Sequence, residues 1–254
     1  MSTTPTTELC AHTLTGMKYR DRDLVNDLIG HSSFLEVLFT QIMGRRPRTV
    51  DVRILDAVLV TLMEHGLTPS AIATRVTYMS APENLQGAVA SGLMCVGSQF
   101  VGTMENCAHL LDEILASAQP EATMRAIATD YRARKAALPG FGHHMHKPDD
   151  PRSIRLFEVA SEEAQFDPRY VNALKTFNQI VDDVYGRHIT INATGATAAL
   201  LGGIGVPVAL MRGFAVISRA AGLVAHIAEE QRSPSGRFIW ETIDAAIPFV
   251  DKPT

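Results

Sequence analysis

Between Pro139 and Arg152 the chain places His143 behind a Gly140-Phe141-Gly142 segment and follows it with Lys147, the Asp150-Pro151 pair and Arg152. The glycines keep side-chain bulk away from the backbone. An imidazole moves protons near neutral pH, and a guanidinium grips a carboxylate through two parallel hydrogen bonds. Together they suit a small polyanionic substrate held against an acid/base group. His65 sits in Glu64-His65-Gly66-Leu67-Thr68-Pro69-Ser70, between the end of one apolar-periodic run and the start of another. It reads equally as a cap on a helix C-terminus, where a cation is favoured, and as a donor to a substrate carboxylate or carbonyl oxygen. Arg219 interrupts an apolar stretch, Ser218 to Ile227, so it is expected to be buried. A buried guanidinium needs an anion, either an internal carboxylate or a ligand. Glu229, Glu230 and the charged segment to Arg237 read as a solvated helix end. His144 and His146 form a His-x-His pair with no carboxylate or cysteine at a ligand spacing, so they read as rim residues and no metal is expected.

The elements that position these groups are helical. Ile54, Leu55, Val58, Leu59 and Leu62 recur at spacings of three and four, as do Val171, Leu174, Phe177, Ile180, Val181 and Val184. Thr49-Val50-Asp51, Thr68-Pro69-Ser70, Asp150-Pro151 and Phe166-Asp167-Pro168 read as helix starts, and Gly186 as a stop. The Gly-rich patch from Gly195 to Gly205 lacks GxGxxG and the P-loop ending, and points instead to close helix packing. The predicted fold class is all-α.

Composition narrows the function classes. With 254 residues, 46% hydrophobic and 20% charged, the chain can bury a substantial core. A net charge of −4 supplies no cationic field for nucleic acid or anionic lipid, so neither is an expected partner. The three cysteines form no CxxC pair, which fits reduced thiols. The Thr-rich first residues show no secretory signal and no apolar run approaches the roughly 20 residues of a membrane span, so a cytoplasmic protein is expected.

Taken in order, these segments resemble the citrate synthase superfamily, from about Asp27 to Arg237. Glu64-His65-Gly66 with Ser70 and Arg75 resembles the first active-site histidine segment, and Gly140-Phe141-Gly142-His143 with Asp150-Pro151-Arg152 resembles the second. Ser218-Arg219 with Gly222 and Ala225-His226 resembles the segment whose arginine binds a substrate carboxylate. The resemblance implies a citrate-synthase-like helical fold with a large domain (1–103 and 206–254) and a small domain (104–205) that closes over a CoA thioester. It also implies a homodimer with the site near the subunit interface. Substrate contacts fall to His65, Phe100, Arg152 and Arg219, catalysis to His143 and Thr194, and contacts with CoA to Gly140, Phe141, Gly142 and Lys147. CoA enters as part of the substrate, and no tightly bound cofactor is implied.

Two departures from the family pattern direct the reading. Phe100 in Gly97-Ser98-Gln99-Phe100-Val101-Gly102 stands where synthases carry a histidine, which is similar to the short citryl-CoA lyases. Thr194 in Asn192-Ala193-Thr194-Gly195 stands where the family carries its catalytic aspartate. Condensation needs a base for the weakly acidic thioester α-carbon, and a threonine is not one at neutral pH. Cleavage needs only that the β-hydroxyl lose its proton and the thioester enolate gain one. The expected activity is therefore carbon–carbon cleavage of a citryl-CoA-like 3-hydroxyacyl-CoA to acetyl-CoA and a 2-oxoacid such as oxaloacetate. His143 would take the hydroxyl proton, and Glu105, Asp182 or Asp183 are candidates for the acid. The loss of the aspartate also leaves open another acyl-CoA reaction, such as hydrolysis or a different condensation, or a non-catalytic thioester-binding protein.

Overall fold

A computed structural model describes residues 4–97 and 102–250. Three short antiparallel strands come first: β1 (Cys10–His12), β2 (Met17–Tyr19) and β3 (Arg22–Asp23), with Cys10 opposite Tyr19 and Lys18 opposite Asp23. A π-helical turn, Leu24–Leu28, leads into eleven α-helices among the described residues. These are α1 (Phe34–Met43), α2 (Thr49–Met63), α3 (Pro69–Ser80), α4 (Leu85–Met94), α5 (Thr103–Ala116), α6 (Pro120–Ala133), α7 (Pro151–Ser161), α8 (Arg169–Tyr185), α9 (Ala193–Gly203), α10 (Val208–Arg232) and α11 (Gly236–Ala246). The all-α reading holds, with the small amino-terminal sheet added. Its strands are two and three residues long, too short for alternation to register in the sequence.

Local chemistry explains the boundaries. Pro69 and Pro151 stand at the first turns of α3 and α7, where a missing N–H costs no intrahelical bond. The Asp150 side chain caps α7 by accepting from the Arg152 amide, and Asn192 caps α9 by accepting from the Gly195 amide. Gly186 ends α8 in the left-handed conformation (φ +68°), as its position suggested.

The hub is α9. From Gly195 to Gly203 every residue is buried, and α2, α5, α7 and α8 all pack on this helix. The Gly-rich patch thus serves close packing. A Cβ at Gly195 would stand 2.4 Å from the Gly140 carbonyl oxygen, so the missing side chain is what lets the His143 segment lie against α9. Fully buried Leu200 and Leu201 on α9, with Phe177 of α8 and Leu111 of α5, anchor the core, each such side chain contributing about 1.5–3 kcal/mol.

Two expectations need correction around α10. This 25-residue helix is long and apolar enough to cross a membrane by length and composition, which the sequence reading missed because Arg219 breaks the run. In the fold α10 packs against α2, α3, α4 and α5. Glu230 is not part of a solvated end. It is buried, accepts from the Gly236 and Ser235 amides at 2.6 and 2.7 Å, and lies 2.9 Å from the buried Arg75 guanidinium. Glu229 pairs with the same arginine from a more exposed position.

Candidate active site

The residues that meet here come from far apart in sequence. The turn after α2 brings Glu64 and His65; the segment before α7 brings His143, and the first turn of α7 brings Arg152. The start of α9 brings Asn192 and Thr194, and the middle of α10 brings Arg219. All of them line one cavity of about 640 Å³, with Leu62, Leu67, Val96 and Met145 as apolar wall.

Arg219 is 6% exposed, and its Nε and Nη1 have no hydrogen-bond partner among the described residues. Burial lowers its pKa, and the nearby Glu64 carboxylate works the other way. Its two candidate partners, an internal carboxylate or a ligand, are thereby separated: no carboxylate among the described residues is bonded to these atoms, and Arg219 lines the cavity.

Arg152 is held differently. Asp150, fully buried, accepts from its Nε at 3.0 Å and its Nη2 at 2.8 Å, and also from the Ala193 amide at the start of α9. Burial alone would raise the Asp150 carboxyl, but the bonds from Arg152 outweigh it and hold it below the ordinary carboxylate range. The carboxylate aims Arg152 so that Nη1 lies 3.4 Å from His65 Nδ1 and Nη2 lies 3.2 Å from His143 Nε2. The two imidazoles stand edge to face with centroids 6.2 Å apart. The structure therefore brings His65, His143, Arg152 and Arg219 to one cavity.

His143 is surrounded by donors. Its Nδ1 accepts from the Met145 and His146 amides at 3.1 and 3.0 Å, while Nε2 faces Arg152. A neutral ring has one N–H and one acceptor nitrogen. The two amides favour the tautomer protonated at Nε2, which sets that N–H beside the Arg152 donor with no acceptor across from it among the described residues. It is available to a ligand oxygen, as Arg152 is. Burial first, then the neighbouring His146, lowers the His143 pKa, with Asp150 opposing. Partial enclosure and then Arg152 and Arg219 lower that of His65. This wall is rich in donors and keeps its imidazoles neutral near pH 7, the electrostatic setting for an oxygen that gains negative charge.

The lining at the start of α9 offers acceptors. The Thr194 hydroxyl donates to Asn192 Oδ1 at 2.7 Å, and that oxygen also takes the Gly195 amide. Asn192 Nδ2 donates to the Gly142 carbonyl at 3.0 Å. Since the single hydroxyl hydrogen of Thr194 is committed, its 3.1 Å contact with Thr103 must be donated by Thr103. Both hydroxyls keep only lone pairs for the cavity.

The remaining sequence candidates fall elsewhere. Gly140 and Phe141 are buried behind the cavity wall, the latter edge to face with Phe177 at 5.2 Å. Gly142 and Lys147 are exposed. Phe100 lies outside the described residues. His144 lines the cavity and stacks on His143 at 4.9 Å, whereas His146 packs on that ring from outside the lining. Among the described residues no His, Cys, Asp and Glu cluster has the makings of a metal site. None of the three proposed acids reaches the cavity. Glu105 pairs with Arg212, Asp183 lies 3.6 Å from Arg125, and Asp182 binds His188 and the Ile189 amide. Each carboxylate is claimed by a cation that sequence spacing does not bring into view. Asp150 was passed over as a functional residue, although an aspartate at a helix N-cap directly before Pro151-Arg152 was visible. Glu64 and Thr103 carried no signal beyond their neighbours.

Comparison with known proteins agrees with this geometry. Residues 5–240 match the family described as citrate synthase, C-terminal domain. Among curated relatives, ATP-citrate synthase subunit 1 of Sordaria macrospora is 23% identical over 253 residues, covering 91% of this chain and 36% of that protein. Putative citrate synthase 2 of Mycobacterium tuberculosis is 28% identical over 193 residues, covering 73% and 49% respectively. The chain thus spans from about a third to about half the length of these relatives. Among solved structures, citryl-CoA lyase from Hydrogenobacter thermophilus superposes with a TM-score of 0.85 at 28% identity, covering 98% of this chain and 95% of that one. With the family match running through all four cavity-forming segments, the chain belongs to the citrate synthase family.

Proposed function

We propose that this protein is a carbon–carbon lyase that cleaves a citryl-CoA-like 3-hydroxyacyl-CoA to acetyl-CoA and a 2-oxoacid such as oxaloacetate. The observation that carries the reading is Arg219, a buried guanidinium whose Nε and Nη1 are unbonded among the described residues, lining one cavity with the donors His65, His143 and Arg152. That lining fits a carboxylated oxygen centre. The likeness in length and fold to the Hydrogenobacter lyase supports the same assignment, and the fold is shared with part of ATP citrate lyase of Methanothrix soehngenii in complex with citrate and coenzyme A, of which this chain covers 42%.

In cleavage the β-hydroxyl gives its proton to His143 Nε2 as negative charge gathers on oxygen against Arg152 and His65. The bond between the β- and α-carbons then breaks, the oxygen becomes the ketone of the 2-oxoacid, and the electron pair passes to the thioester enolate. A proton from water completes acetyl-CoA. Accepting at Nε2 requires the ring to carry its proton on Nδ1, against the Met145 and His146 amides. The resting tautomer therefore matches the ketone side of the reaction, donating to the product carbonyl. CoA would lie along the exposed edge from Gly142 to Lys147, with the 104–205 unit closing over it, in a cytoplasmic homodimer.

The test mixes purified protein with citryl-CoA and follows oxaloacetate through malate dehydrogenase and NADH. Oxaloacetate is expected from the parent, and His143→Ala is expected to lower the rate by about 100-fold or more. Free CoA without a 2-oxoacid would show thioester hydrolysis instead. The pH profile carries a separate expectation. His143 must be neutral to accept a proton, and its pKa is lowered, so kcat/KM should hold through the ordinary imidazole range and fall only below about pH 6.5. An acid limb above that value would contradict it.

A further inference from the structure

Behind the His65 turn lies a buried polar group that the mechanism above does not use. Arg75 on α3, 3% exposed, donates from Nε to His226 Nδ1 at 2.9 Å. An arginine only donates, so His226 accepts at Nδ1, and its neutral ring carries the proton on Nε2. That nitrogen lies 2.9 Å from Glu64 Oε2, a close polar contact whose angle is not that of a hydrogen bond. The other Glu64 oxygen accepts from the backbone amides of His65 at 2.8 Å and Gly66 at 2.5 Å. Arg75 is itself fixed, its guanidinium also bonded to Glu230 and to the Ser235 hydroxyl.

The placement on α10 gives this order a purpose. Arg219, Gly222 and His226 follow one another at spacings of three and four, one stripe of the helix. Arg219 faces the cavity. A Cβ at Gly222 would stand 2.0 Å from the Met63 carbonyl oxygen and 3.3 Å from Glu64 Oε2, so the absent side chain lets the end of α2 touch α10. His226 then meets the carboxylate that holds the next turn. The same stripe thus presents one substrate cation and sets the height of the histidine beside it. A buried ionic cluster is a weak source of stability, because apolar residues of similar volume serve as well or better. Its ordered donors and acceptors are better suited to fixing one backbone conformation.

We propose that His226 is a positioning residue for His65, acting through the Glu64 carboxylate with Arg75 as its anchor. The turnover consequence rests on the lyase reading; the structural consequence does not. His226→Ala should lower kcat for citryl-CoA cleavage about 10- to 50-fold, the loss of one charge-assisted contact, with KM changed less than threefold. His226→Gln, which keeps an amide donor within reach of Glu64, should recover most of the loss. In a His65→Ala background the His226→Ala change should alter kcat less than twofold, because its effect runs through a side chain already absent. The imidazole ¹H–¹⁵N resonances of His65 should shift or broaden in His226→Ala while those of His143 stay in place. Equal losses in the parent and in the His65→Ala background, or unchanged His65 resonances, would overturn the proposal. A parent without turnover would count against the lyase, and the His65 resonances would decide the positioning role by themselves.

Discussion

Arg219→Met should give a protein at least as stable as the parent with kcat/KM lowered about 100- to 1,000-fold. The two halves of this expectation have one cause. Arg219 is 6% exposed, with Nε and Nη1 unbonded among the described residues. A charge in that state costs several kcal/mol of desolvation that no bonded anion returns, and the Glu64 carboxylate offsets only part of it. An unbranched apolar side chain of similar length removes the cost and still fills the space between α10 and α2. Thermal unfolding without ligand should therefore show an unchanged or higher Tm, with a gain of about 1 kcal/mol or more. A substrate carboxylate would lose its desolvated partner, at about 2–5 kcal/mol. Arg219→Lys separates charge from shape. It keeps the cation but not the planar fork, so it should fall between parent and Met variant in activity. A Met variant that loses stability and activity together would make Arg219 a structural residue, and the site assignment would fail with it.

This buried arginine also shows what was legible in the sequence. A single guanidinium within the apolar Ser218–Ile227 stretch announces burial, because its neighbours one helical turn away, Ala215, Val216, Gly222 and Leu223, are all apolar. The helix starts at Pro69 and Pro151 and the stop at Gly186 are equally local, set by one residue's φ or its missing N–H. What escaped reading depends on pairs distant in the chain. Glu230 looks solvated beside Glu229 and Arg232, and becomes interior because Arg75, 155 residues away, meets it there. Glu105, Asp182 and Asp183 look equally available as acids until Arg212, His188 and Arg125 are seen to claim them. Asp150 is an intermediate case. Its capping of α7 is visible from Asp-Pro-Arg, but its bond to the Ala193 amide, which ties that cap to α9, is not.

The threonine at position 194, where the resemblance implies an aspartate, was legible, and it supports the second large expectation. Thr194→Asp should raise deuterium exchange into the methyl group of acetyl-CoA, with oxaloacetate present, by at least about 100-fold, the usual contribution of a placed general base. The parent hydroxyl cannot serve. Its only hydrogen is committed to Asn192 Oδ1, and an alcohol held this way is neither a base nor a free acid at neutral pH. An aspartate there would stand in the first turn of α9, where the N-terminal amides favour an anion. It could not keep the contact to Asn192 Oδ1, since both groups accept and Asn192 is held by the Gly142 carbonyl and the Gly195 amide. Repulsion would turn the carboxylate toward the cavity, with the Thr103 hydroxyl left to donate to it. The variant would then remove an α-proton in one direction and supply one in the other, so condensation and cleavage should rise together. Thr194→Asn, of the same shape and uncharged, is the control and should leave exchange at the parent rate. If the parent already exchanges as fast as Thr194→Asp, another group in the cavity is the base. The preference for cleavage argued from Thr194 would then have no chemical ground.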